Sequence, residues 1–352
     1  MSYTPFQAPL NGGLLGDAET AALFSVKADL DAMLRFEIAL VRVQARQGLI
    51  PQDAAERVEQ RLANFEPDIA AIAREAKRDG VLVPELVRQL RDHVGKGDAT
   101  CIHHRTTSQD VVDSAAMMRL RDAAALHRER LCSIENRLER MAQEVGDAEV
   151  HARTRMQRAA PVPLSHRLHA WRALVAGLGG SVTVSPLVQL GGPWGADYRD
   201  GAAGKVPSLL ADELGLEHSG TPWHADRRPM AEFAHWFTSV AAGLAKIGAD
   251  VCVMALDEVG EVRVRGGGRS SAMPHKANPV QAEALVTLGR FAATLVGGMH
   301  NAMIAENERS GAAWMLEWML MPQLAVAAGA ATRTTLELLD ALDFDQARSS
   351  QS

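Results

Sequence analysis

Cysteine is scarce in this chain of 352 residues: Cys101, Cys132 and Cys252 are the only three, far apart and in no Cys-x-x-Cys spacing. That excludes a disulfide framework, offers no zinc-site pattern and fits a reducing cytoplasm. Basic residues do not exceed acidic ones. The formal charge of −6 argues against a general nucleic-acid binder, so any anion site must rest on a local basic cluster. The most apolar stretch, 240–256, is interrupted by Lys246 and Asp250, and no basic segment followed by an apolar run opens the chain. Neither an export signal nor a membrane span is expected. Aromatics make up only 5% of the residues, so packed helices here meet through small Ala and Gly side chains. Strand signals are nearly absent, with 181–190 as one weakly alternating extended piece.

Gly and Pro are missing altogether from 98–145, which predicts a helix without interruption from about Ser108. Ser108 is placed to cap it, with Asp110 setting negative charge in the first turn. A helix of about 35 residues spans roughly 50 Å and needs neighbours along its length. Two further long helices, 229–259 and 279–306, open on proline and are apolar on more than one face, as helices inside a bundle are. Ahead of them, 26–47 has apolar residues at helical spacing, and shorter helical patterns follow at 52–65, 67–79 and 84–94. The first twenty residues read as an arm that packs on the rest. The expected fold is mainly α: an N-terminal helical domain (1–104), a central long-helix bundle (105–345) and a polar tail (346–352).

One stretch combines mobility, hydroxyl groups and a fixed charge. Residues 266–279 read Gly-Gly-Gly-Arg-Ser-Ser-Ala-Met-Pro-His-Lys-Ala-Asn-Pro. The glycines free the backbone, so Ser270 and Ser271 sit on a segment able to open and close. Asn278 and Pro279 predict a helix start, which places Lys276 beside an N-terminus that favours an anion. A flexible linker before a capped helix is the plainer reading. Against it, Ser-Ser-x-Met-Pro-x-Lys-x-Asn-Pro resembles the signature of the fumarase/aspartase superfamily, although Arg269 stands where that family usually has Gly.

Two other stretches extend the resemblance. Residues 103–110, His-His-Arg-Thr-Thr-Ser-Gln-Asp, are similar to the family's His-x-Gly-x-Thr-Ser-x-Asp, with Arg105 in place of Gly. Taken alone, paired histidines are more often structural; the resemblance implies that His103, Thr107 and Ser108 bind a substrate carboxylate. Residues 153–158, Arg-Thr-Arg-Met-Gln-Arg, followed by Pro161, Pro163 and a short helix through Trp171, match the family's Arg-Thr-His-x-Gln. Members that expel an amine use that His as the general acid, and Arg155 replaces it here. A guanidinium does not give up a proton near neutral pH. Arg155 therefore suits chemistry whose leaving group needs no proton, such as a carboxylate leaving a lactone.

The segment 24–51, together with Trp314, Glu317 and Trp318, resembles the 3-carboxy-cis,cis-muconate cycloisomerase branch, whose members usually have Trp at the Arg155 position. Trp223-His224, Arg227 and the segment 258–261 match further superfamily positions taken as mostly structural. The resemblance implies a cytoplasmic homotetramer with each site shared between subunits, a reduced or missing C-terminal domain, no metal or organic cofactor, and no nucleic-acid or membrane partner. The implied substrate is a small anionic polycarboxylate, 3-carboxy-cis,cis-muconate or an analogue with another anionic substituent. The implied roles are Ser270, Lys276 and Asn278 in catalysis, and His103, Thr107, Ser108, Arg153, Thr154, Arg155 and Gln157 in substrate binding. An adenylosuccinate- or argininosuccinate-type lyase and a catalytically silent scaffold are the alternatives.

Overall fold

A computed structural model describes residues 4, 6, 8–180, 184–199, 201–273 and 276–344. Two short helices, α1 (Gly12–Leu15) and α2 (Ala18–Ala22), form the arm. There follow α3 (Val26–Arg46), α4 (Gln52–Leu62), α5 (Ile69–Asp79) and α6 (Val83–Val94), and then the long α7 (Ser108–Glu144). Strands β1 (Glu149–Thr154) and β2 (Gln157–Pro163) lead into α8 (Leu164–Gly180), α9 (Val206–Leu214) and α10 (Arg228–Met254). Short strands β3 (Val262–Val264), β4 (Gly268–Arg269) and β5 (Ala277–Asn278) precede α11 (Val280–Ala302), α12 (Gly311–Ala341) and β6 (Leu342–Phe344). The mainly α, long-helix expectation holds.

The bundle is built on α7, α10, α11 and α12, with α8 alongside. At 37 residues α7 is roughly 55 Å long. Small side chains set the closeness of α10 and α11. A Cβ on Gly248 would lie 2.6 Å from the Ala282 carbonyl oxygen, and one on Gly289 would lie 2.5 Å from the Ala245 methyl. Buried Phe233, Trp236, Phe237, Val240, Leu244 and Ile247 carry α10 into the core. The apolar core runs without a break from α3–α6 into the bundle, across residue 104. The arm is tied down by Arg130 of α7, which pairs with Asp17 and, at 2.8 Å, with Glu19.

Several local expectations are corrected. Thr107, not Ser108, is the N-cap of α7, and its amide donates to the Asp110 carboxylate at 3.1 Å. Asn278 does not cap a helix: it pairs with Gly268 in the β4–β5 ladder, and α11 starts at Val280. Asp68, rather than Pro67, opens α5, its side chain accepting from Ala71 N at 2.9 Å. The helix through Trp171 continues to Gly180. Of the extended piece expected at 181–190, residues 181–183 lie outside those described, and the remainder forms one bridge, Leu187 to Glu217. The tail 346–352 also lies outside them.

By length and composition alone, α10 is long and apolar enough to cross a membrane, with a mean hydropathy of 1.4 over one window. Lys246 and Asp250 form an ion pair one turn apart on this helix. Its packing against α11 and α12 is that of a bundle helix.

Candidate active site

The signature loop leaves the bundle through β4 and returns through β5, an antiparallel pair that makes 268–278 a closed excursion. Ser270 stands at its entry, half-buried, and its hydroxyl oxygen accepts from the amides of Met273 at 3.0 Å and Ala272 at 3.3 Å. Two N–H dipoles aimed at one oxygen stabilise negative charge there, the condition under which a serine serves as a base. Lys276 is exposed just before β5, its amide donating to the Met273 carbonyl at 3.1 Å, and Asn278 is half-buried within β5. Pro274 and His275, in the middle of this stretch, lie outside the described residues.

The second stretch is a β-hairpin, which the sequence reading did not anticipate. Thr154 pairs with Gln157, leaving Arg155 and Met156 as a two-residue turn. Both turn residues have positive φ, 49° and 67°. That is the geometry of the tight turn whose twist matches its strands. Held by non-glycine residues it costs roughly 1–3 kcal/mol each. Thr154, Arg155 and Gln157 are exposed at the tip. Arg153 faces inward instead and pairs at 2.9 Å with buried Glu261, to which Arg167 also extends at 3.4 Å. Glu261 precedes β3, so this ion pair fixes the hairpin to the strand that feeds the signature loop.

The third stretch is the first turn of α7 with the segment before it. His103 and Arg105 both have positive φ, 58° and 54°. Arg105 thus keeps the left-handed backbone expected of the family's glycine. Its guanidinium turns away, over the Tyr198 ring at 5.5 Å and onto the Asp197 carbonyl. His103 is fixed through Nδ1, 2.6 Å from fully buried Glu37. Thr107 and Ser108 are half-buried, and Thr107 accepts at 2.9 Å from Arg309, a residue the sequence reading did not single out. The only signal for Arg309 was its place in a polar Asn-Glu-Arg-Ser run just before a helix.

Beneath this turn lies a dense polar core. Asp110, fully buried, accepts from the amides of Gly191 and Gly192, both at 3.0 Å, and meets His224 Nε2 at 2.7 Å. One turn along α7, Asp113 binds the Arg227 guanidinium at 2.6 Å and Trp314 Nε1 at 2.9 Å, while Glu317 takes the other edge of Arg227 at 2.6 Å. Burial pushes the Glu317 carboxyl up to about 7, against the pull of Arg227 and with the charge of Asp113 adding to the rise. Trp314, Glu317 and Arg227, matched from sequence as structural positions, therefore lock α10 and α12 onto the start of α7.

The three stretches stand on separate elements of the chain: the β4–β5 excursion, the β1–β2 hairpin and the start of α7. Among the described residues, no group of three or more His, Cys, Asp or Glu stands ready to hold a metal ion. What the arrangement supplies is a serine facing two amides, an exposed lysine, an arginine at a strained tip and hydroxyls at a helix start. These groups suit carboxylate binding and proton exchange at carbon.

A family described as Lyase matches residues 19–294. A 3-carboxy-cis,cis-muconate cycloisomerase of Pseudomonas aeruginosa is 36% identical, over 94% of this chain and 74% of its own length. Nitrosuccinate lyase of Streptomyces davaonensis is 35% identical, over 97% of this chain and 77% of its own. The crystal structure of β-carboxy-cis,cis-muconate cycloisomerase from Acinetobacter calcoaceticus superposes with a TM-score of 0.90 at 25% identity, covering 97% of this chain and 79% of that one. With this family matching most of the chain and a relative 36% identical over nearly all of it, the chain belongs to this lyase family, within the fumarase/aspartase superfamily.

Proposed function

We propose that the chain is a 3-carboxy-cis,cis-muconate cycloisomerase, adding a carboxylate across a double bond of its substrate to close the carboxymuconolactone ring. The observation that carries this reading is Arg155 at the hairpin tip, where amine-expelling relatives use a histidine acid. The leaving group of the reverse reaction is a carboxylate, which departs without a proton. Relatives bearing the cycloisomerase name, at 36% and 33% identity over nearly the whole chain, support it.

In this reading the Ser270 hydroxyl delivers the proton to carbon during ring closure and, as the alkoxide, removes it during opening. The amides of Ala272 and Met273 hold its oxygen's charge. Lys276 and Asn278 hold the enolate-like intermediate. Arg155, with Thr154 and Gln157, grips one carboxylate bidentately, and Thr107 and Ser108 bind another. His103 supports the Thr107 turn through Glu37, and Arg153 supports the hairpin through Glu261.

The active form is a homotetramer in which the three stretches come from different subunits. Exposed Met315, Trp318 and Met319 on α12, with Ile304 after α11, supply apolar surface for that contact.

The test follows the ultraviolet absorbance of the conjugated diene with wild-type protein and Ser270→Ala. Decay with the first and none with the second is expected; no decay with wild type sinks the reading. The second substrate to try is nitrosuccinate, since a relative at 35% identity is a lyase of that compound and its substituent also leaves as an anion.

A further inference from the structure

Arg155 leaves the site with no proton-exchanging group at the hairpin, yet a buried histidine lies beside the Thr107 turn. His224 is 6% exposed and sits 2.7 Å through Nε2 from Asp110. The same carboxylate accepts from the Thr107 amide at 3.1 Å and the Thr106 hydroxyl at 3.0 Å. His224 and the proposed carboxylate-binding turn therefore hang from one anchor. With Asp110 as the acceptor, Nε2 carries the hydrogen and the ring has a fixed orientation.

The other nitrogen is open. Among the described residues Nδ1 makes no hydrogen bond. It faces Gly195, whose added Cβ would stand 3.9 Å away. His224 lines a cavity of about 590 Å³ together with Trp194, Tyr198, His218 and Glu308. Trp194 and Glu308 are the chain neighbours of Pro193 and Arg309, and Arg309 bridges the Pro193 carbonyl at 2.8 Å and the Thr107 hydroxyl at 2.9 Å. The cavity and the Thr107 turn thus share a wall. An imidazole held by a carboxylate on one side and open to a cavity on the other is built to present a charge or proton to a bound molecule.

We propose that His224 is a catalytic residue whose protonated Nδ1 hydrogen-bonds the carboxylate oxygen that makes or breaks the ring C–O bond. This rests on the cycloisomerase reading and assigns that oxygen's partner. In ring opening, the Ser270 alkoxide takes the proton from carbon and the C–H pair becomes the new double bond. The C–O pair stays on oxygen, and the nascent carboxylate receives the Nδ1–H hydrogen bond, the imidazolium keeping its proton. In ring closure the oxygen sheds that hydrogen bond as it attacks, and the neighbouring carbon takes its proton from the Ser270 hydroxyl. Asp110 offsets the charge on the ring.

The other charged or titratable groups around the ring and the cavity include Asp226 and Arg227 beside it in sequence, Arg199, Tyr198 and Glu308 on the wall, and His218. As the second imidazole there, His218 is the control. The experiment measures kcat and KM for 3-carboxy-cis,cis-muconate with wild type, His224→Gln and His218→Gln. His224→Gln should lose more than tenfold in kcat/KM, chiefly in kcat, and His218→Gln should keep the wild-type rate. A His224→Gln enzyme with the wild-type rate overturns the assignment.

Should that variant fold poorly, nitrogen NMR of ¹⁵N-histidine wild-type protein decides. Adding the unreactive tricarboxylate tricarballylate should shift His224 Nδ1 toward the protonated position, and an unmoved resonance overturns the proposal. If wild type fails on the muconate while tricarballylate still moves His224, the substrate reading falls and this binding site stands.

Discussion

Arg309 reaches from the linker before α12 to the first turn of α7, where one arm of its guanidinium donates to the Thr107 hydroxyl at 2.9 Å and the other to the Pro193 carbonyl at 2.8 Å. Two donors set in one plane fix the rotamer of the hydroxyl and leave a positive charge next to it. Lysine keeps the charge and loses the fork. Arg309→Lys should raise KM about tenfold, the worth of one charge-assisted hydrogen bond, with kcat and melting temperature little changed. A KM within twofold of wild type would remove Arg309 from the site.

The hairpin tip separates strain from function, because Arg155 and Met156 share the left-handed backbone while only one of them is charged. Glycine adopts that conformation freely but loses more freedom on folding. Met156→Gly should therefore stabilise the fold, by about 0.5–1 kcal/mol, and retain turnover. Arg155→Gly should relieve the same strain and lose most activity, recoverable in part by Arg155→Lys. Denaturant midpoints alongside steady-state rates check both. Equal activity loss in the two glycine variants would show that the turn itself, rather than the guanidinium, matters.

Asp113, Arg227 and Glu317 put two carboxylates around one buried guanidinium, with Trp314 closing the group. Removing one carboxylate leaves a buried charge poorly matched and opens a void against Arg227. Glu317→Ala should cost about 3–5 kcal/mol. Glu317→Gln should cost less, because the amide oxygen still accepts from Arg227. Urea unfolding of the three proteins gives the comparison, and equal losses in the two variants would argue that the carboxylate charge alone is at stake, with the void contributing nothing.

What sequence disclosed here follows physical lines. The long helices were legible because Gly and Pro are missing and apolar residues recur, and the Ser270 loop because its residue types stand in a fixed order. Helix starts slipped by one position at Thr107 and at Val280, since neighbouring Ser, Thr, Asn and Pro are all acceptable at a terminus and only tertiary hydrogen bonds choose among them. The hairpin was hidden because Pro161 and Pro163 argue against a strand and its tip has neither Gly nor Asn. Arg309 and His224 were invisible as site residues for another reason. Their significance lies in Thr107 and Asp110, more than a hundred positions away.

His127 ties stability to pH through the arm. Its ring is fully buried against Trp236 and Phe237, and Nε2 lies 3.1 Å from Thr20 of α2. Burial drives its pKa down from 6.5 to about 3, with the charge of Arg130 acting the same way and Asp17 opposing. The unfolded chain therefore takes up a proton at this residue near pH 6.5 and the folded chain only near pH 3. The stabilisation is complete above the first value and is lost as the pH falls toward the second, by up to about 1.4 kcal/mol per pH unit. Urea midpoints at about pH 7.5 and pH 5, on either side of an ordinary histidine pKa, should drop clearly for wild type. His127→Gln, whose neutral amide still reaches toward Thr20, should start less stable at the upper pH and fall less on acidification. Parallel losses in the two proteins would mean that another group carries the acid sensitivity.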